Sequence, residues 1–331
     1  MSDTIRIGSR GSQLALWQAN HIAAELRSAG HTVEIEIIRT TGDRMQHSES
    51  STADAPSLAP ESGKGIFIKE IEEALAEGRI DLAVHSLKDL PTHLDPRFTL
   101  AAIPPRADAR DAWVCEPYWS LHTLHAGGRI GTTSPRRKAM VLALRPDVTF
   151  IELRGNVDTR LRKLAEGACD ALVLASAGLD RLNRTESVHY RFAIEELCPA
   201  PGQGALALET RAADYAALSE PAHDDYVRRA VAALDDPAAH FAVEAERMVL
   251  DALGGGCKVP IGAHCRPVRE GNSVIGWTLH AQVVAPDGEQ VVSVTIDTPA
   301  EIAALALGLQ AAEELKLRGA LELLGETASA S

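Results

Sequence analysis

Apolar residues recur along this chain with two periods, and the alternation between them outlines a fold. Ile5-Arg6-Ile7 has the two-residue period of a short strand and ends at Gly8-Ser9-Arg10-Gly11-Ser12. Ala15, Ala19, Ile22 and Leu26 then fall on one face of a helix. Val33 to Ile37 alternates as a half-buried strand, Ile66 to Ala76 is helical with Gly78 as its stop, and Ile80 to Val84 is another strand. The pattern restarts in mid-chain: a strand near Ile130, a helix to Leu144, a strand from Val148 to Leu153, a helix from Asn156 to Glu166, and a strand from Ala171 to Leu174. Strands alternating with helices predict parallel sheets with helices on both faces. Two such blocks, separated around Ile103-Pro104-Pro105, predict two similar α/β domains facing a cleft.

Leu197-Cys198-Pro199-Ala200-Pro201-Gly202-Gln203-Gly204 is a second punctuation, and the apolar strand Ala205 to Leu208 after it reads as a return crossing into the first domain. A helix carrying Phe241, Ala245, Met248, Val249 and Ala252 on one face stops at Gly254-Gly255-Gly256. Strands from Val274 to Val284 and from Gln290 to Ile296, joined by an Asp287-Gly288 turn, and a helix from Pro299 to Leu317 predict a small α+β domain. The expected division is residues 1–104 with 200–222, residues 105–199, and residues 223–331. Met45 to Ser62 has no lysine or arginine and few apolar residues, too little to bury a core of its own. It reads as a tolerated surface insertion or as a lid, and Gly63-Lys64-Gly65-Ile66-Phe67 at its end favours the lid.

Composition narrows the function. The 331 residues carry a formal net charge of -13, which argues against a nucleic-acid partner. The start, Met1 to Arg6, has no apolar run after its charges and does not read as a secretory signal, and no stretch approaches a membrane span. The five cysteines are scattered without a C-x-x-C pair, the usage of a reducing cytoplasm with neither a disulfide framework nor an evident metal site.

Against that acidic background, Thr132-Thr133-Ser134-Pro135-Arg136-Arg137-Lys138 stands out as a cationic knot between a strand and a helix. Hydroxyls and free N–H groups at a helix start, with two guanidiniums one turn in, make an anion receptor, and Pro135 suits the first helical position. Arg10, Lys64, Lys88, Arg154, Arg160 and Arg181 fall at comparable loop or element-end positions. Leu153-Arg154-Gly155-Asn156-Val157-Asp158-Thr159-Arg160 repeats the design, with Gly155 permitting close backbone approach and Asn156 as the cap. His85-Ser86-Leu87-Lys88-Asp89 follows a buried strand at its carboxyl end, where ligands bind in open α/β sheets. From the residues alone, Asp89 is a catalytic carboxylate or a solvated partner of Lys88, Ser86 is a ligand contact or a helix cap, and His85 is more simply a satisfied core histidine. Cys257 follows three glycines and precedes Lys258, the surroundings of an accessible thiol of lowered pKa, whereas Cys265 has no such context.

Ser9 to Gln18, Gly63 to Phe67, His85 to Pro91, Arg136-Arg137, Arg154 to Arg160, Pro201 to Ala205 and Gly254 to Pro260 together resemble the porphobilinogen deaminase (hydroxymethylbilane synthase) family, in its order and over essentially the whole chain. The resemblance implies two α/β domains like those of periplasmic binding proteins and a third that bears the cofactor. It implies a cytoplasmic, monomeric transferase of tetrapyrrole and heme biosynthesis that polymerises porphobilinogen on a dipyrromethane held through a thioether at Cys257, with no metal and no nucleic-acid or membrane partner. By similarity Asp89 is the catalytic carboxylate, aided by Lys88. The cofactor contacts are Arg10, Ser12, Ser86, Lys88, Asp89, Thr132, Ser134, Arg136, Arg137, Arg154 and Gly155. The substrate contacts are Arg10, Lys64, Phe67, Arg154, Arg160, Arg181 and Gln203. The chemistry suits these residue types: each ring added brings two carboxylates, which arginine forks match bidentately, and loss of ammonia leaves an electron-poor carbon whose developing positive charge a carboxylate stabilises. Pro135 replaces a leucine common in relatives, and the lid lacks the further lysine some members carry.

Two other readings fit the pattern. Two α/β domains around a cleft are also the build of a binding module for a small polycarboxylate, in which Cys257 has no role. A phosphate-handling transferase is suggested by the helix-start anion sites, but no Gly-x-x-x-x-Gly-Lys-Ser/Thr loop is present.

Overall fold

The computed structural model describes residues 4–38, 65–115, 119–215, 221–255 and 259–328, with residues 65–67 and 326–328 described in backbone only. The Met45 to Ser62 stretch, Lys64, the Phe67 side chain and Cys257 lie outside this description. The chain forms two compact units, Met1–Pro105 with Leu206–Asp236, and Arg106–Ala205 with Pro237–Ser331.

The first unit is a five-stranded sheet in the order β2-β1-β3-β10-β4. Its strands are β1 (Thr4–Ser9), β2 (Thr32–Ile37), β3 (Leu82–Ser86), β4 (Phe98–Ala102) and β10 (Leu206–Arg211). α1 (Gln13–Ser28) covers one face with Ala19, Ile22 and Leu26, which are fully buried, each Ile or Leu contributing about 1.5–3 kcal/mol. α2 (Gly65–Ala76) covers the other through Ile71, Ala74 and Leu75. Gly78, at φ +70°, turns the chain after α2 into β3. α6 (Pro221–Ala232) completes the unit. Arg211 at the end of β10 is 1% exposed and donates to Asp81, Asp224 and the carbonyls of Leu75 and Ile80.

The second unit holds another five-stranded sheet, β7-β6-β8-β5-β9, and a three-stranded one, β11-β12-β13. The strands of the larger sheet are β5 (Asp111–Cys115), β6 (Arg129–Gly131), β7 (Thr149–Ile151), β8 (Ala171–Ala175) and β9 (Tyr190–Arg191), with helices α3 (Pro135–Leu144), α4 (Val157–Ala165) and α5 (Ser176–Arg181). The smaller sheet, β11 (Ile261–Glu270), β12 (Ser273–Val284) and β13 (Val291–Pro299), packs on α7 (Pro237–Ala252), α8 (Ala304–Leu317) and α9 (Ala320–Ala328).

The sheets are mixed, which corrects the expectation of parallel ones. In each five-stranded sheet one strand runs against the rest: β10 is antiparallel to β3 and β4, and β5 to β8 and β9. The reversed strand is in both cases the first after the chain leaves the other unit. A strand so reversed begins at the edge of the sheet where its parallel neighbours end, so Leu206 lies opposite Ser86 and Asp111 opposite Ala175. That inversion brings new side chains to the carboxyl edge, where α/β sheets bind ligands.

Candidate active site

In the first unit the carboxyl ends of β1 and β3 open into a pocket of about 110 Å³ lined by Arg10, Ser12, Gln18, His85, Ser86 and Asp89 among others. Ser12 caps α1, its Oγ accepting from the Ala15 N–H at 3.4 Å. Ser86 caps nothing, contrary to the cap reading. The turn Leu87–Asp89 that follows is a single short 3₁₀ turn, and the Ser86 Oγ instead accepts from Gln18 Nε2 at 2.8 Å. His85 is buried, with Nε2 hydrogen-bonded to Oε2 of Glu209 on β10 at 3.0 Å, a satisfied core histidine. Asp89 is exposed and Lys88 half-buried. The pocket therefore offers one carboxylate, one guanidinium and hydroxyls around a small opening.

In the second unit β6 delivers Thr132, whose N–H donates to the Ile151 carbonyl and whose Oγ1 accepts from the Ser134 N–H at 3.2 Å. Ser134 caps α3, accepting from the Arg137 N–H at 3.4 Å, and Pro135 occupies the first turn. The two guanidiniums turn inward, with Arg136 5% and Arg137 7% exposed. Both meet Asp111, the fully buried first residue of β5: Arg136 Nη2 donates to Oδ2 at 2.7 Å, and Arg137 Nε and Nη2 donate to Oδ1 at 3.0 and 2.7 Å. Burial opposes ionisation of Asp111, but the two arginines outweigh it and hold its pKa at about 2. Burial likewise pulls the Arg136 guanidinium below its ordinary value, against the attraction of Asp111. Two cations share one anion, so the cluster keeps a surplus positive charge.

Arg154 is exposed, 3.9 Å from Glu152, and Arg160 is half-buried on α4. Gly155 has φ +118°, and a Cβ there would lie 2.8 Å from the Thr159 methyl, while the Asn156 Oδ1 accepts from the Thr159 N–H at 2.8 Å. Arg181 is buried and donates to the Gly204 carbonyl at 2.7 Å, and burial pulls its pKa down to about 10 against the attraction of Asp180. Gln203 is fully buried, its Nε2 donating to the Ala109 carbonyl at 2.7 Å and to Asp111 Oδ1 at 3.0 Å. Cys115, Cys169, Cys198 and Cys265 are all buried, and burial raises the thiol pKa of the last three.

The structure thus gathers Arg10, Ser12, Ser86 and Asp89 in one pocket, and Arg136, Arg137 and Gln203 around one carboxylate. Asp111 was missed in the sequence. Its signal is a charge that opens a wholly apolar run, Ala112-Trp113-Val114-Cys115.

A family model described as porphobilinogen deaminase, dipyrromethane cofactor binding domain, matches residues 5–219, and one described as porphobilinogen deaminase, C-terminal domain, matches residues 240–317. The chain belongs to the porphobilinogen deaminase family. Among curated relatives, the porphobilinogen deaminase of Roseiflexus castenholzii is 45% identical over 326 residues, 98% of this chain and 99% of the relative. That of Syntrophotalea carbinolica is 43% identical over 98% of this chain and 96% of its own. The solved structure of the methionine binding protein MetQ aligns over 70% of this chain and 91% of its own, at 11% identity and a TM-score of 0.43. Family membership does not favour the binding-module alternative.

Proposed function

We propose that Asp89 is the catalytic carboxylate of this chain, that Cys257 bears its cofactor through a thioether, and that the arginines of both units hold carboxylates of cofactor and substrate. As a member of its family the chain is a transferase that deaminates porphobilinogen and polymerises it head to tail into hydroxymethylbilane on a dipyrromethane primer, releasing ammonia. When bound, the dipyrromethane supplies the free pyrrole carbon from which the chain grows. The residues fit such a group. The arginine pair carries more positive charge than Asp111 neutralises, and the buried Arg181 is a cation whose charge an anion would favour. Four of the five cysteines are buried, which supports Cys257 as the point of attachment. The acidic net charge supports an enzyme without a nucleic-acid partner, and the lack of disulfides among the described cysteines supports a cytoplasmic location. We read the protein as a monomer.

One observation carries the catalytic reading: an exposed carboxylate, Asp89, lines the same pocket as Arg10 and Ser12 at the carboxyl ends of two strands. There Asp89 accepts pyrrole N–H groups and stabilises the positive charge that develops as ammonia leaves, while Arg10 binds a ring carboxylate and Lys88 adds a second cation nearby. Asp89→Asn keeps the shape and removes the charge. Binding of porphobilinogen should persist while single-turnover ammonia release from cofactor-loaded protein falls by about two orders of magnitude or more, the mark of an interaction made mainly in the transition state. Near-normal release would remove Asp89 from the mechanism, since an exposed pair with Lys88 contributes at most ~1 kcal/mol.

A further inference from the structure

We propose that Asp111 is a positioning residue for the reaction: it fixes the guanidiniums of Arg136 and Arg137, with Gln203 as its neutral partner, so that the pair meets a ligand carboxylate in one orientation. The proposal rests on the reading of those arginines as cofactor contacts.

A carboxylate has about four acceptor sites. Asp111 receives Arg136 Nη2 on Oδ2, and Arg137 Nε, Arg137 Nη2 and Gln203 Nε2 on Oδ1, all within 3.0 Å. Donors from α3 and from the loop before β10 thus grip both of its oxygens. Each donor is held from a second side. Arg136 Nη1 donates to the Cys198 carbonyl, and the Gln203 amide to the Ala109 carbonyl. Arg137 is held through its backbone, whose N–H donates to the Ser134 Oγ. Arg137 Nη1 takes no partner among the described residues and is the donor left for a ligand. Ordering two long side chains costs rotamer entropy, and Asp111 meets that cost before an anion arrives. Gln203, expected to touch substrate, acts in this scheme through Asp111 instead. The reversed direction of β5 makes this possible, because it starts Asp111 at the edge where α3 begins.

Charge and position make opposite forecasts. Removing the Asp111 charge raises the surplus positive charge, so an arginine pair acting by charge alone would capture carboxylates better. Positioning forecasts worse capture. The test incubates full-length apo-protein with porphobilinogen and follows by intact mass the rate at which the dipyrromethane increment appears, with circular-dichroism melting as a check of folding. Four variants are compared: D111N, D111E, Q203M and R137Q. The expected result is loading slower by about tenfold or more in D111N and in D111E, which keeps the charge but displaces it. Q203M, which changes no charge, should load several-fold slower and need more porphobilinogen for half-maximal rate. If D111N and Q203M load as fast as wild type or faster while R137Q does not load, the proposal fails and the cofactor-contact reading stands. If R137Q itself loads normally, that reading fails. If D111N does not fold, Q203M decides: normal loading overturns the proposal and slower loading at an unchanged melting temperature supports it.

Discussion

At the scale of single residues, the cysteines give the sharpest expectation. Cys257→Ser should purify with the mass of its sequence alone, turn over nothing, and melt at a lower temperature, because no cofactor carboxylate then offsets the surplus charge beside Asp111. Peptide mapping of wild type checks the site, and an adduct on Cys265, or on no cysteine, would overturn it. Individual chemistry was legible in the sequence where a residue announces itself by local context. Asn156 is a cap because it precedes a helical run, and Gly155 is glycine because its φ and the Thr159 contact demand it. Ser86 and Asp111 were not legible, since their partners Gln18, Arg136 and Arg137 lie 68, 25 and 26 residues away and no local pattern encodes those meetings.

Among the elements, α3 is held at both ends, by Asp111 at its start and by the Asp287-Gly288 turn near its finish. Gly288 has φ +80°, and a Cβ there would lie 2.5 Å from Leu142 Cβ and 2.6 Å from the Ala143 nitrogen. Gly288→Ala should destabilise by roughly 1–3 kcal/mol, from the strained φ and the displaced helix. Chemical denaturation measures this, and an unchanged midpoint would show that the turn yields freely. Helices such as α1, and strands such as β3 and β8, were readable because their apolar spacing is regular. β11 was not: Ile261, Ala263 and Cys265 alternate, but Gly262 and Pro267 are residues that strands usually avoid, and they mask the pattern. It tolerates the proline because it is an edge strand of its sheet, and it needs the glycine because a Cβ at 262 would lie 2.5 Å from the Cys198 carbonyl oxygen.

For the whole molecule, stability in acid should depend on two buried carboxylates. Glu246 accepts from Arg106 and from the backbone N–H groups of Gly202 and Cys265. Burial opposes its ionisation, yet Arg106 overrides this and holds it at about 2, against an ordinary 4.5, as Asp111 is held at about 2 against 3.8. A depressed carboxylate pKa stabilises fully above the unfolded value and progressively less as pH falls toward the folded one, at ~1.4 kcal/mol per unit. Unfolding free energy should therefore be level from pH 7 to about 5 and drop steeply below, with a shallower acid limb in Glu246→Gln. An unaltered limb in that variant would dismiss the group as the cause. The order of strands has a different consequence, for synthesis on the ribosome. β10 lies between β3 and β4, yet it emerges about a hundred residues after them, and it brings Arg211 to Asp81. Until then the nascent chain holds a split sheet with open edges, the kind that recruits foreign strands. The first unit therefore cannot be completed in the order in which it is translated, and a fragment cut at Pro105 is not a domain.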